Sequence, residues 1–119
     1  MYRPRTIVRM NTSNEQILDQ LRLILDPEIA IDIVSLGLIY DVSVGLVQAD
    51  DGPHEHIHIL MTLTTPGCPL ATVIEDMIHR QLDCLEGIDG WRDVTIEVTF
   101  DPPWTQDIMT EEAKAELGF

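Results

Sequence analysis

Apolar residues recur at spacings of three and four through Ile17, Leu18, Leu21, Ile24 and Leu25, which predicts a helix with one face toward a core. Two overlapping capping pairs precede it, Thr12 with Glu15 and Ser13 with Gln16, and Pro27 stops it. The period then falls to two. Tyr40, Val42, Val44 and Leu46 occupy alternate positions, as do Ile57, Ile59, Met61 and Leu63. Two strands therefore flank the polar stretch QADDGPHE and form a hairpin with a longish loop. From Pro69 the helical spacing returns through Leu70, Val73, Ile74, Met77, Ile78, Leu82 and Leu85, with Gly87 as its stop. After an Asp89-Gly90 turn, Val94, Ile96, Val98 and Phe100 alternate with Asp93, Thr95, Glu97 and Thr99. Asp101-Pro102-Pro103 ends this last strand, and Thr110 caps a short helix, EEAKAEL.

The order is α-β-β-α-β-α. A strand–helix–strand unit requires a right-handed crossover and a parallel pair, so the sheet is mixed. The expected fold class is α+β, a small three-stranded sheet packed with helices, whose strand order the pattern leaves open. A chain of 119 residues suffices for one domain, assigned to residues 13–119, behind a basic arm over residues 1–12.

Charge narrows the partners. Seven basic residues face 21 acidic ones, for a formal net charge of −14. Arg3, Arg5 and Arg9 all fall in the first ten residues, which carry no acid, so the remainder stands at about −17. That argues against nucleic acid and against an anionic membrane surface. No apolar stretch approaches the roughly 18 residues of a membrane span. The opening MYRPRTIVRM lacks the apolar core of a secretion signal, and the expected location is the cytoplasm.

The candidate chemistry centres on TTPGCPL. With Pro69 at the first helical position, Cys68 is the helix N-cap, where unpaired N–H groups and the helix dipole stabilise a thiolate. The competing reading is a buried structural cysteine. Cys84 lies sixteen residues on, about 24 Å along a continuous helix, too far for a disulfide or a shared metal site, and reads as a packing residue. The stretch DPEIAIDIVSLGL, residues 26 to 38, is long for a connection and carries Asp26, Glu28 and Asp32. Such carboxylates could hold a hard metal ion, act as acid and base, or simply cap the loop; the residues alone leave this open. His54, His56 and His58 share one strand face and could ligate zinc, although the apolar alternates turn that face to solvent. No phosphate-binding loop, dinucleotide fingerprint, nucleophile elbow or Cys-x-x-Cys is present.

Three stretches in order, LDPEIAIDIVSLGLIYDVSV, TTPGCPL and VTFDPPWTQDIMTEEAKAELG, resemble the iron–sulfur cluster assembly domain once catalogued only as a domain of unknown function. That family includes the SufT-type bacterial proteins, the eukaryotic cytosolic targeting factor and the phenylacetate-degradation D proteins. The resemblance implies an auxiliary role in iron–sulfur protein maturation, with Cys68 as the functional thiol beside Thr65 and an acidic loop at Asp26 and Glu28. It further implies a supporting or partner-binding tail at Asp101, Trp104 and Thr105. The absence of a cysteine-rich C-terminal segment favours the SufT-like branch. A stable cluster usually takes four thiolates, so the expectation is no permanent cofactor, only transient iron or an iron–sulfur cluster with Cys68 the best ligand. The expected partners are assembly proteins and client apoproteins, a second copy of the chain included. The expected protein is an adaptor and not an enzyme. Rival readings are an accessory subunit of an oxygenase-type complex and a cysteine-nucleophile enzyme.

Overall fold

Ser13 starts the first helix as the capping pair predicts. Its side chain accepts from Gln16 N while Gln16 Oε1 accepts from Ser13 N, a reciprocal cap worth about 1 kcal/mol. The overlapping Thr12 pair does not form. Thr12 instead donates to Glu55 through its hydroxyl (2.7 Å) and its backbone N–H, and is buried. Thr12, assigned to the arm, thus packs onto the domain. The computed structural model describes residues 12–50, 52–64 and 71–118. Residues 1–11 of the expected arm lie outside them, as do Thr65, Cys68 and Pro69.

The element order is α1 (Asn14–Leu21), β1 (Ile39–Ala49), β2 (Gly52–Met61), α2 (Ala71–Leu82), β3 (Val94–Val98) and α3 (Glu111–Leu117), with a 3₁₀ turn at Gln106–Ile108 before α3. The sheet order is β1-β2-β3, antiparallel between β1 and β2 and parallel between β2 and β3, so the chain is α+β with the mixed sheet expected. Ile17 and Leu21 of α1 and Ile74, Ile78 and Leu82 of α2 are buried with Ile57, Ile59 and Met61 of β2 and Val94 of β3 in one core. Both helices therefore cover one face of the sheet, and β2 at its centre supplies the most deeply buried strand residues.

Four local expectations need correction. First, α1 ends at Leu21 and not at Pro27; Ile24 is buried from the following turn, but Leu25 is 51% exposed. The cause is a bridge between Leu25 and Asp32, whose extended backbone replaces the last helical turn. Second, the hairpin loop is short: the ladder runs to Ala49 opposite Gly52, and Gly52 takes φ 112° there. Third, the alternation of β1 breaks. The register shifts between Ile39 and Asp41, leaving Tyr40 as an extra residue whose hydroxyl donates to Pro102 O at 2.7 Å. Leu46 is exposed because β3 pairs only with residues 57–61, so the outer half of the hairpin lacks a third strand. Fourth, β3 stops at Val98, leaving Phe100 at the surface.

The entry to β3 is a tight turn. Asp89 accepts from Trp91 N and Arg92 N, and Asp89 N donates to the buried Asp93. The Arg92 guanidinium reaches back to Asp93 at 2.8 Å and holds that carboxyl below its ordinary value of 3.8. Two backbone N–H groups, from Arg92 and Trp91, likewise lower Asp89.

Candidate functional site

The acidic loop is a closed structure. Asp26 is buried, and its Oδ1 accepts from Glu28 N (2.8 Å) and Ile29 N (3.1 Å). Its own N–H donates to Ile31 O and its carbonyl accepts from Ala30 N, so one residue fixes both sides of the turn. Ala30 takes φ 64°, a left-handed conformation that a non-glycine residue keeps only when its surroundings impose it. Ile31, Ile33, Leu36 and Leu38 anchor the rest of the connection in the core. The two carboxylates therefore divide the work. Asp26 holds the backbone, and Glu28 stands exposed at the tip.

The tail is fastened to this same connection. Trp104 Nε1 donates to Leu36 O at 2.6 Å, and Thr110 N donates to Ser35 O. Gly37 follows these points with φ 80° and Ile108 directly against it; any Cβ would strike that side chain and its carbonyl. The 35–37 turn is thus clamped by residues about seventy positions further on. Asp101 and Thr105, by contrast, are exposed, and Thr105 makes no side-chain capping bond to the 3₁₀ turn. Between the acidic loop and α3 runs a cleft of about 270 Å³, lined by Leu25, Ala30, Asp32 and Ser35 and by Glu112 and Glu116.

This clamp adjoins the end of β2. Thr62 N donates to Leu38 O, one residue past Gly37, and Thr99 N donates to Met61 O. Thr62 should face outward by alternation, yet it is fully buried and its Oγ1 finds no hydrogen-bond partner among the described residues. Pattern reasoning passed over it; the break in alternation shows only once both faces of this end are seen to be covered. The chain continues through Thr64 into residues 65–70, where the expected Thr65 and Cys68 lie outside the described residues.

The other candidates separate from this region. Cys84 follows α2, is exposed and not packed, and its Sγ donates to Gln20 Oε1 at 3.3 Å. The helix stops short of it, so the residue escapes the buried stripe. His56 and His58 meet Thr95 and Glu97 across the β2–β3 pair, and His54 contacts Arg92. Each imidazole thus turns to its own neighbour, and among the described residues no group of three His, Cys, Asp or Glu side chains could hold a metal ion. No helix among the described residues is long and apolar enough to cross a membrane.

The acidic loop, the clamped tail and the strand end that leads into residues 65–70 all fall in the three stretches on which the sequence resemblance rests. The chain belongs to the iron–sulfur cluster assembly protein family, whose model matches residues 14–98. The tail residues Asp101, Trp104 and Thr105 fall beyond that match. The chain is similar to an Fe–S protein maturation auxiliary factor of Porphyromonas gingivalis, 41% identical over 90% of this chain and 92% of the relative. It is also similar to the auxiliary factor SufT of Staphylococcus aureus, 38% identical over 81% and 98% respectively. Among solved structures, a domain of unknown function from Bacillus anthracis superposes with a TM-score of 0.70 at 30% identity, covering 88% of this chain and 91% of that one.

Proposed function

We propose that this protein is a cytoplasmic auxiliary factor in the maturation of iron–sulfur proteins, acting as an adaptor or transient carrier through the Cys68 thiol. The observation that carries the reading is the convergence at one end of the sheet. The tail clamps the 35–37 turn there, in the same connection as the acidic loop, and β2 leads into the segment bearing Thr65 and Cys68 from that end. Cys68 is four residues past Thr64, a reach of at most about 14 Å. The names carried by its relatives supply the process.

In this reading Glu28, exposed on a loop that Asp26 keeps rigid, meets iron or a partner. Trp104 holds the tail in place, leaving Asp101 and Thr105 to face the partner. The chain has two cysteines, and Cys84 sits beyond the far end of α2, so this reading gives the cluster a single thiolate per chain, Cys68. Four ligands are usual, so the cluster or iron is cargo, held briefly with a partner's or a second copy's groups. The protein provides a thiol and a docking surface, with no turnover of its own.

The deciding experiment compares wild type and Cys68→Ala as bait for purified assembly proteins and apo-clients, with anaerobic iron and sulfide added. Association and iron retention that depend on Cys68 are expected. Unchanged association in Cys68→Ala, together with a trapped covalent acyl-Cys68 in the wild type, would hand the case to a thiol enzyme.

A further inference from the structure

The turn before β3 presents an aromatic that the clamp does not use. Trp91 is 54% exposed, and its ring stacks on His79 with centroids 4.7 Å apart and planes 18° apart. His79 is itself fixed: its Nδ1 lies 2.7 Å from Gly90 O, and because a carbonyl only accepts, Nδ1 carries the proton. Gly90 N donates to Asp83, and a Cβ at Gly90 would strike the His79 carbonyl and Asp83, so the turn sits directly on α2. The Asp89 carboxylate ties down Trp91 N from the other side. The indole is therefore ordered before any partner arrives, which removes part of the entropy cost of binding.

Beside it, an open cleft of about 230 Å³ runs along α2, lined by Thr72, Glu75, Asp76, His79 and Trp91. The neighbouring arginines are engaged, Arg80 with Asp76 at 2.8 Å and Arg92 with Asp93 at 2.8 Å. Carboxylates thus prevail around an aromatic face, in a chain whose formal charge is −14. A cation over an indole is attracted by the ring's negative face, and tryptophan and arginine are the residues most enriched where interfaces hold tightest. The same acidity repels an anionic membrane.

We propose that this face of α2 docks a basic segment of a partner protein, with an arginine or lysine side chain over Trp91 and Glu75 supplying counter-charge. That the occupant is a partner protein rests on the adaptor reading. α2 begins three residues after Cys68 in the chain, so a protein bound along this helix is placed to meet the thiol segment as well.

The test titrates the full chain into a fluorescein-labelled, amidated peptide of alternating arginine and glycine, followed by anisotropy at low salt. Saturable binding is expected. Trp91→Ala should weaken it about tenfold and Glu75→Gln about threefold, while Trp91→Phe retains most of it. Glu15→Gln, at an exposed position of α1, should change nothing. Glu75→Gln, a surface change, decides the matter should Trp91→Ala lose its fold by melting temperature. Absent binding, or equal losses in Trp91→Ala and Glu15→Gln, would overturn the proposal. So would a several-fold gain on replacing Arg3, Arg5 and Arg9 together by glutamine, which would make the chain's own arm the occupant. Cys68→Ala should bind the peptide as the wild type does, so failure here is distinguishable from failure of the thiol reading.

Discussion

Asp26 and Asp89 use the same device: each accepts two successive backbone N–H groups, from Glu28 and Ile29 in one turn and from Trp91 and Arg92 in the other. Their settings differ. Asp26 is buried within a connection closed by backbone bonds on both sides, including Ile33 N to Ile24 O, and held by the tail at its 35–37 turn. Asp89 is exposed, and its turn takes rigidity from a second carboxylate, the buried Asp93, which bonds Asp89 N and the Arg92 guanidinium. One turn offers solvent a carboxylate, Glu28, and the other an indole, Trp91. The same local device shapes both turns. What is packed over each sets how much stability depends on it.

The comparison breaks first at Asp26. Asp26→Ala removes two charge-assisted hydrogen bonds from a buried position and is expected to cost about 2–3 kcal/mol. The melting temperature should fall by on the order of 10 °C in thermal unfolding followed by circular dichroism. A loss no larger than that of Asp89→Ala would erase the distinction between the turns.

Asp93→Asn comes next, at about 1–2 kcal/mol near neutral pH, because the Arg92 bond weakens and Asp89 N keeps a poorer acceptor. The fold lowers the pKa of Asp93, so its ionised form adds stability above the unfolded value of about 3.9. That contribution is lost as pH falls through the folded value. The stability gap between wild type and Asp93→Asn, measured by urea unfolding from pH 7 to 3, should therefore hold to about pH 4 and close below it. A gap independent of pH would show that shape, not charge, is what Asp93 supplies.

Asp89→Ala should destabilise less than either. Its larger effect should be on Trp91, seen as lower steady-state anisotropy of the indole emission. The smallest stability effect is expected for Glu28→Gln, within about 0.5 kcal/mol of wild type, since the side chain is exposed at the loop tip. Maturation of iron–sulfur clients should nonetheless fall. A large stability loss with maturation intact would make Glu28 structural, like Asp26.

Much of this fold was legible in the chain. Ser13 with Gln16, the alternation of Ile57, Ile59 and Met61, the spacing of Ile74, Ile78 and Leu82, and the crossover to β3 are local signals, and the elements follow them. The corrections came where distant residues override local preference. Leu25 leaves its helical stripe because Asp32 pairs with it, and Tyr40 is displaced from the ladder where its hydroxyl meets Pro102. Thr62 is buried against its alternation. The site was legible as three motifs and not as one arrangement, because periodicity carries no trace of a bond from Trp104 to Leu36. Trp91 was passed over for a similar reason: only the fold brings it onto His79.

That bond from Trp104 spans 68 positions, and it orders events while the chain is being made. Synthesis proceeds from the N-terminus, so the 35–37 turn leaves the ribosome long before the residues that clamp it. A nascent chain halted after Val98 holds all three strands and both larger helices, yet Leu36 O lacks the indole and Ser35 O lacks Thr110. The 35–37 turn, unlike the acidic loop before it, is therefore finished only after the strands and the larger helices. Its geometry becomes available to a partner only once translation has passed the tail.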